Sequence, residues 1–534
     1  MTWLTILSCA LMSLAFRSDF GGQSGALDDA PRTTAESSNY KMTSTAQDVR
    51  DFLKELRTLE HGHRLRESVI GTTEEGREIL AVTVADPMPN VGERVQDGRL
   101  RLLVNANIHA GEVEGKEAVQ QMLREFAQGE HADLLRDAVL LFIPIYNVDG
   151  NERIDRNHRV SQNGPDGGVG TRENSNGRCL NRDFVKTETA ECRALMGLIR
   201  EQDPHLFMDL HTTNGSNHGY HLTYSPSLST NVNAELNSFE RSVLLPEVGA
   251  DVLSSGDWRI FDYGNFGRGE ETPRTWSTYD HRPRFGTNYY SMRNRLSVLS
   301  EAYSYIDFER RIGVTYAFTL SVLTTCARHR EAILKLCDTA DRQAMDSKQA
   351  FPFATHLEPG EEGQILVGVL DSLEIEDIGT RRIARDEFSA EPAILRRAFE
   401  SDERIALPAA WAIPAASEAV LASLRTHGVE HSFTSSETAC EAETFALSEV
   451  RRAERPFQGH LEMTFPGQWS KTSVVMLPVG TCVIPAKQRL SRVAAQLLEP
   501  TSEDSLGTWG ILIPEVKSGA DPVAYPVLRL THLP

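Results

Sequence analysis

An α/β domain around a mainly parallel or mixed sheet, followed by a smaller α+β domain, is the architecture the sequence predicts. Two observations carry it. Between residues 78 and 325, short apolar runs alternate with stretches of helical periodicity. Beyond a linker expected at 351–363 the texture changes: short apolar runs appear at 365–370, 473–476 and 510–513, and helical patterns at 417–427 and 487–498.

The N-terminal stretch 3–16, WLTILSCALMSLAF, is apolar throughout. It is short for a membrane span and fits the core of a signal peptide, so residues 1–16 are read as one. No Lys or Arg precedes it, and no clean small-x-small cleavage site follows. Cys9, after Ile-Leu-Ser, loosely resembles a lipoprotein attachment site. The expected location is therefore secreted, periplasmic or cell-envelope, with no transmembrane span in the mature chain. Residues 17–43 are polar and rich in Gly, Ser, Asp and Thr, and read as a mobile, disordered leader. Order is expected from Ser44, where Ser44 and Gln47 make a capping box. Val49, Phe52, Leu53, Leu56 and Leu59 then recur at helical spacing.

Strands are expected at 79–84, 100–106, 139–145, 206–210 and 296–299. Helices are expected at 117–126, at 187–201 and after Arg310, with a charged helical stretch at 326–350. The boundaries that follow are 44–350 for the first folded domain and 351–534 for the second. The chain has 534 residues, 40% hydrophobic and 24% charged, with a formal net charge of −20. So acidic a surface repels phosphate backbones and argues against nucleic acid as a partner. None of the seven cysteines (9, 179, 192, 326, 337, 440 and 482) lies in a C-x-x-C pair, which argues against a structural zinc site. Cys179 and Cys192 are close enough in sequence to bridge.

The chemistry lies where the expected strands end. His109 and Glu112 follow the run 100–106, His211 follows 206–210, and Glu301 follows 296–299. In open α/β sheets, ligands bind beyond the carboxyl ends of the strands, so these groups should reach one edge. His-x-x-Glu in a turn lets an imidazole and a carboxylate reach one ion. Adding His211 gives two His and one carboxylate, a common ligand set for catalytic zinc that leaves a position for water. Glu301 is the candidate general base. Each signal is weak alone, since a bare H-x-x-E is usually a surface turn. Their joint placement after strands gives them weight.

The ordered set resembles the zinc carboxypeptidase family over residues 45–330. Gly71-Thr-Thr-Glu-Glu-Gly76-Arg77 is similar to that family's early turn. Asn107-Ile-His109-Ala-Gly-Glu112 is similar to its metal-binding segment, and Asn147-Val-Asp149-Gly150 to its N-P-D-G turn, with Val for Pro. Asn181-Arg182 resembles the pair that grips the substrate's terminal carboxylate, a role a guanidinium fills with two parallel hydrogen bonds. Asp209-Leu-His211-Thr and Ser300-Glu301 resemble the strand ends bearing the third ligand and the base. The resemblance implies an eight-stranded mixed sheet flanked by helices, one Zn2+ ion and removal of C-terminal residues from peptides or proteins with a free C-terminus. It also implies an arginine that polarises the scissile carbonyl, for which Arg159 is preferred over Arg156 and Arg172. A tyrosine should close on substrate, with Tyr289 preferred over Tyr279 and Tyr290.

The segment 157–182 is long and rich in Gly and Asn, and Asn-Arg-Asp replaces the more usual Asn-Arg-Asn, so the cleft rim should differ from that of digestive enzymes. The later region, including Leu498-Glu-Pro-Thr-Ser-Glu-Asp and Tyr525-Pro-Val-Leu-Arg, resembles an extension on a set of bacterial members. A related amidase acting on cell-wall peptides or N-acyl amino acids would use the same metal site. A non-catalytic peptide-binding protein on this scaffold would have lost a ligand or the base, and all four residues are present.

Overall fold

The computed structural model describes residues 30–213, 215–256, 258–269, 273–346, 350–513 and 524–534. The expected signal peptide lies outside the described residues.

Among the described residues, ten strands precede residue 303: β1 (Leu65–Thr72), β2 (Glu78–Val84), β3 (Leu100–Ala106), β4 (Ala138–Ile143), β5 (Leu206–Thr212), β6 (Leu222–Pro226), β7 (Ile260–Asp262), β8 (Asn265–Phe266), β9 (Arg274–Ser277) and β10 (Leu296–Ala302). Eight form one mixed sheet in the order β1-β2-β4-β3-β5-β10-β6-β7. Strands β4, β3, β5 and β10 are parallel neighbours. The expected sheet is thus present. Every residue of β3, β4 and β5 is buried, as the apolar runs of strands covered on both faces require.

Helices flank the sheet. Glu114–Gln128, Leu245–Gly256 and Phe308–Arg328 pack together, while Ala190–Gln202 lies against β1 and against the later helix Glu418–His427. Gly115 lets the first of these approach closely: a Cβ there would stand 2.8 Å from Leu210 Cβ on β5. This approach puts the His109–Glu112 turn beside β5.

The structure corrects several expectations. Order begins before Ser44. A short helix, Thr34–Ser37, has its own capping box, and Arg124 pairs with Glu36. Thr43 and Ser44 are held by the buried Glu117, so Ser44 is not a helix cap. The cap of Ala46–Leu56 is Thr45, reciprocated by Asp48. The expected linker is mostly strand: Ala350–Leu357 pairs with Phe399–Ala406, and Glu361–Ile375 with Gly379–Arg396. Segment 510–513 is turn and bend, with Leu512 and Ile513 buried. Strand β1 lay hidden because its half-exposed edge position permits an irregular polar pattern.

A strand-rich C-terminal region follows. Its main sheet has seven strands between Ala410 and Leu530, with helices Glu418–His427 and Ser491–Leu498. Strand β9 pairs in parallel with residues 393–396, so the earlier and later parts of the chain share a sheet. The six described cysteines are buried and free. Cys179 faces His109 and Cys192 opens helix Ala190–Gln202, so the two do not bridge. Among the described residues, no helix is long and apolar enough to cross a membrane.

Candidate active site

The central strands β3, β5 and β10 lie side by side, and all three deliver polar groups at their carboxyl ends. After β3, Asn107 takes a left-handed backbone (φ 61°) that turns the chain. Its side chain donates to the Glu112 carbonyl at 3.0 Å. The Asn147-Val-Asp-Gly turn supports this loop from beneath, with Asn147 N–H donating to the Asn107 carbonyl at 3.2 Å.

His109, Glu112 and His211 converge, with ligand-type atoms all within 4.8 Å of one another. Glu112 Oε1 lies 3.0 Å from His109 Nδ1, and Glu112 Oε2 lies 3.0 Å from His211 Nδ1. The two Nδ1 atoms are 3.2 Å apart. Two imidazole nitrogens and a carboxylate facing one buried point are a donor set suited to zinc. Behind them, Asp209 Oδ2 lies 2.9 Å from His211 Nε2 and fixes that ring. Asp209 and His211 share a face of β5 at the two-residue period of a strand. Asn105, opposite Asp209 on β3, donates to it at 2.9 Å.

Electrostatics favour a neutral His109 and an ionised Glu112. Burial holds the His109 pKa well below its usual value. Burial works against Glu112, but His109, His211 and Arg159 hold its carboxyl well below the usual range. His211 is also buried, yet Asp209 and Glu112 keep its pKa well above normal.

Glu301 sits on β10 directly across from His211 on β5 and lines the same cavity of 440 Å³. Burial pushes its carboxyl up to about 8, and His211 opposes that rise. A larger groove of 810 Å³, beside Val91 and Gly197, is lined by no His or Cys and one carboxylate.

Arg159 enters the cavity, its Nη2 donating to Glu112 Oε1 at 2.7 Å and its Nε to Gln162 at 2.7 Å. Arg172 enters too, with Nη1 3.3 Å from His109 Nδ1; Arg156 is not among the lining residues. Asn181 and Arg182 line the same cavity, with Asn181 Nδ2 3.4 Å from His211 Nε2. Asn181 Oδ1 accepts from the Gly286 N–H at 2.8 Å, and the Arg182 guanidinium stacks on Phe285, 3.8 Å from the ring centre.

Tyr289 is a correction. It is fully buried in the core, its hydroxyl 2.7 Å from His427 Nδ1, because the helix Gly286–Ser291 turns it away from the cavity. The cavity tyrosines are Tyr279 and Tyr263, with rings edge-to-face at 5.5 Å. The Tyr279 hydroxyl meets Thr287 Oγ1 at 3.0 Å. Tyr263 and Phe285 carried no signal in the sequence. Leu299 did, since it precedes Glu301 by two positions on one strand face.

Residues 49–248 match the family model for zinc carboxypeptidases. That stretch holds His109, Glu112, Asn181, Arg182 and His211, while Glu301 lies beyond it. Carboxypeptidase 2 of Trichophyton rubrum is 20% identical over 475 residues, spanning 86% of this chain and 81% of that protein. Carboxypeptidase 2 of Trichophyton equinum is 20% identical over 473 residues with the same coverage, 86% and 81%. Among solved structures, a metallo-carboxypeptidase from Pseudomonas aeruginosa is 17% identical with a TM-score of 0.39, covering 55% of this chain and 70% of that one. Carboxypeptidase A of Helicoverpa armigera is 14% identical with a TM-score of 0.40, covering 55% and 75%.

Proposed function

We propose that the chain is a zinc-dependent metallocarboxypeptidase that removes C-terminal residues from peptides. The observation that carries this reading is the convergence of His109, Glu112 and His211 on one point, with Glu301 paired across from His211 and Asn181 and Arg182 lining the same cavity. In this reading residues 44–350 form the catalytic part, 351–534 form a C-terminal part, and a signal peptide directs the chain out of the cytoplasm.

His109, Glu112 and His211 would hold a single zinc ion, which when bound polarises a carbonyl and brings a water's pKa towards neutrality. Glu301, which lines the same cavity across from His211, takes the attacking water's proton and passes it to the departing amine. Arg159 donates to the scissile carbonyl oxygen as negative charge builds there, with Arg172 beside it. Asn181 and Arg182 bind the substrate's free carboxylate and so orient the terminal peptide bond. Tyr279 closes the wall in the place expected of Tyr289. Next to the clamp the wall is Tyr263, Tyr279, Phe285, Thr287 and Leu299, all uncharged, which suits a neutral terminal side chain.

The test is a matched panel of peptides with free and amidated C-termini, assayed with the zinc-loaded protein. Cleavage of the free forms with loss of the last residue supports the reading. Equal cleavage of both would remove it.

A further inference from the structure

Two loops carry the clamp, and both are tied to the C-terminal region. In the first, which holds Asn181 and Arg182, Cys179 N–H donates to Gln458 Oε1 at 2.9 Å. Lys186 lies 4.1 Å above the Trp509 ring, and Glu188 pairs with His460 at 2.8 Å. Gly459 passes so close to Arg178 that an added Cβ would overlap its guanidinium.

The second loop runs through residues 280–287. Here Asp504 accepts from the Arg284 backbone N–H at 2.7 Å and pairs with its guanidinium at 3.0 Å. The Arg284 side chain is 3% exposed and that of Asp504 is 0% exposed, so the pair is buried. Glu462 takes another N–H of the same guanidinium. One residue further, Phe285 is the face on which Arg182 stacks. Two residues further, Gly286 N–H is the donor that aims Asn181. A single buried carboxylate therefore fixes the backbone next to both members of the clamp.

We infer that Asp504 is a positioning residue for substrate: acting through Arg284, it sets where Asn181 and Arg182 stand. This rests on the carboxypeptidase reading above, and it gives the C-terminal region a part in substrate recognition. Asp504 also holds a left-handed backbone (φ 81°), which Asp and Asn tolerate better than most residues.

The test uses the full-length, zinc-loaded protein. Asp504→Asn keeps the left-handed backbone and one acceptor for the Arg284 N–H, but loses the charge facing the guanidinium. For peptides with a free C-terminus the variant should raise KM about tenfold, with kcat changed by less than about twofold. Zinc content should match wild type, and the preference for free over amidated peptides should fall by a similar factor. An unchanged KM, even with a lower melting temperature, would make Asp504 a structural residue only and overturn the inference. Should that variant not accumulate folded, Arg284→Lys keeps the charge but loses the forked contact through which Asp504 acts. A raised KM there supports the inference, and an unchanged one overturns it. A wild-type protein that ignores the free carboxylate would remove the parent reading, and the wild-type arm alone would show it.

Discussion

Glu301 and His211 stand directly opposite each other on the parallel strands β10 and β5. Sheet register alone therefore places the candidate base beside a candidate metal ligand, with no loop needed to bring them together. Glu301→Gln keeps the shape and removes the ability to accept a proton. Zinc content should stay at the wild-type level while kcat falls by about 10²- to 10⁴-fold, the range expected for a lost general base. Metal analysis and steady-state kinetics on one preparation check this. Retained turnover would take Glu301 out of the mechanism.

The approach of Arg159 to the ligand turn depends on Gly111. A Cβ at Gly111 would stand 2.4 Å from Arg159 Cγ and 2.9 Å from the Gly170 carbonyl oxygen. Gly111→Ala should push Arg159 out of the cavity and lower kcat by about tenfold or more. Arg159→Ala should give a similar loss, and the double variant little beyond either. If Gly111→Ala is harmless and Arg159→Ala is too, Arg172 is the arginine that serves the carbonyl.

The uncharged wall beside the clamp makes a prediction about substrates. Peptides ending in Phe or Leu should be cleaved with a higher kcat/KM than matched peptides ending in Lys or Asp, because Leu299, Tyr263 and Phe285 offer a terminal side chain apolar surface and no charge of their own. A preference for terminal Lys or Asp would show that one of the charged groups of the cavity, and not this uncharged surface, receives the side chain.

Stability should carry a pH signature from Glu240, which is fully buried and accepts the Ser297 backbone N–H. Burial raises its carboxyl to about 8 from the usual 4.5. The folded chain therefore holds a proton there that the unfolded chain releases. That stabilisation is complete below pH 4.5 and is lost as pH rises towards 8, at no more than about 1.4 kcal/mol per pH unit. Glu240→Gln keeps the acceptor and removes the titration. Its melting temperature relative to wild type should climb between pH 5 and pH 8. A constant difference across that range would show that Glu240 is not protonated in the folded state.

Much of the site was legible because each key residue ends a strand whose apolar run announces it. β3, β5 and β10 are buried on both faces, so their sequences are nearly continuous apolar runs, and a His or Glu at the end stands out. Asn181 and Arg182 stood out only through their resemblance to the Asn-Arg pair of the zinc carboxypeptidases, and both line the cavity. Tyr289 was misplaced because spacing along the chain does not say which way a short helix turns its side chains. Tyr279 lies before the Gly286–Ser291 helix and reaches the cavity; Tyr289, within it, points to His427. The support for the clamp was hidden for another reason. Asp504 and Gln458 meet Arg284 and Cys179 across more than two hundred residues, and an isolated Asp or Gln in a polar loop gives no sign of such a partner. The early order at Thr34–Ser37 was hidden likewise, since it depends on Arg124 reaching back to Glu36.

The central claim is most directly tested by anomalous scattering at the zinc edge from crystals of the zinc-loaded protein. The account predicts one peak bounded by His109 Nδ1, Glu112 and His211 Nδ1, on the side of the cavity that Glu301 faces. A protein that takes up no zinc, or a peak away from those three side chains, would contradict it.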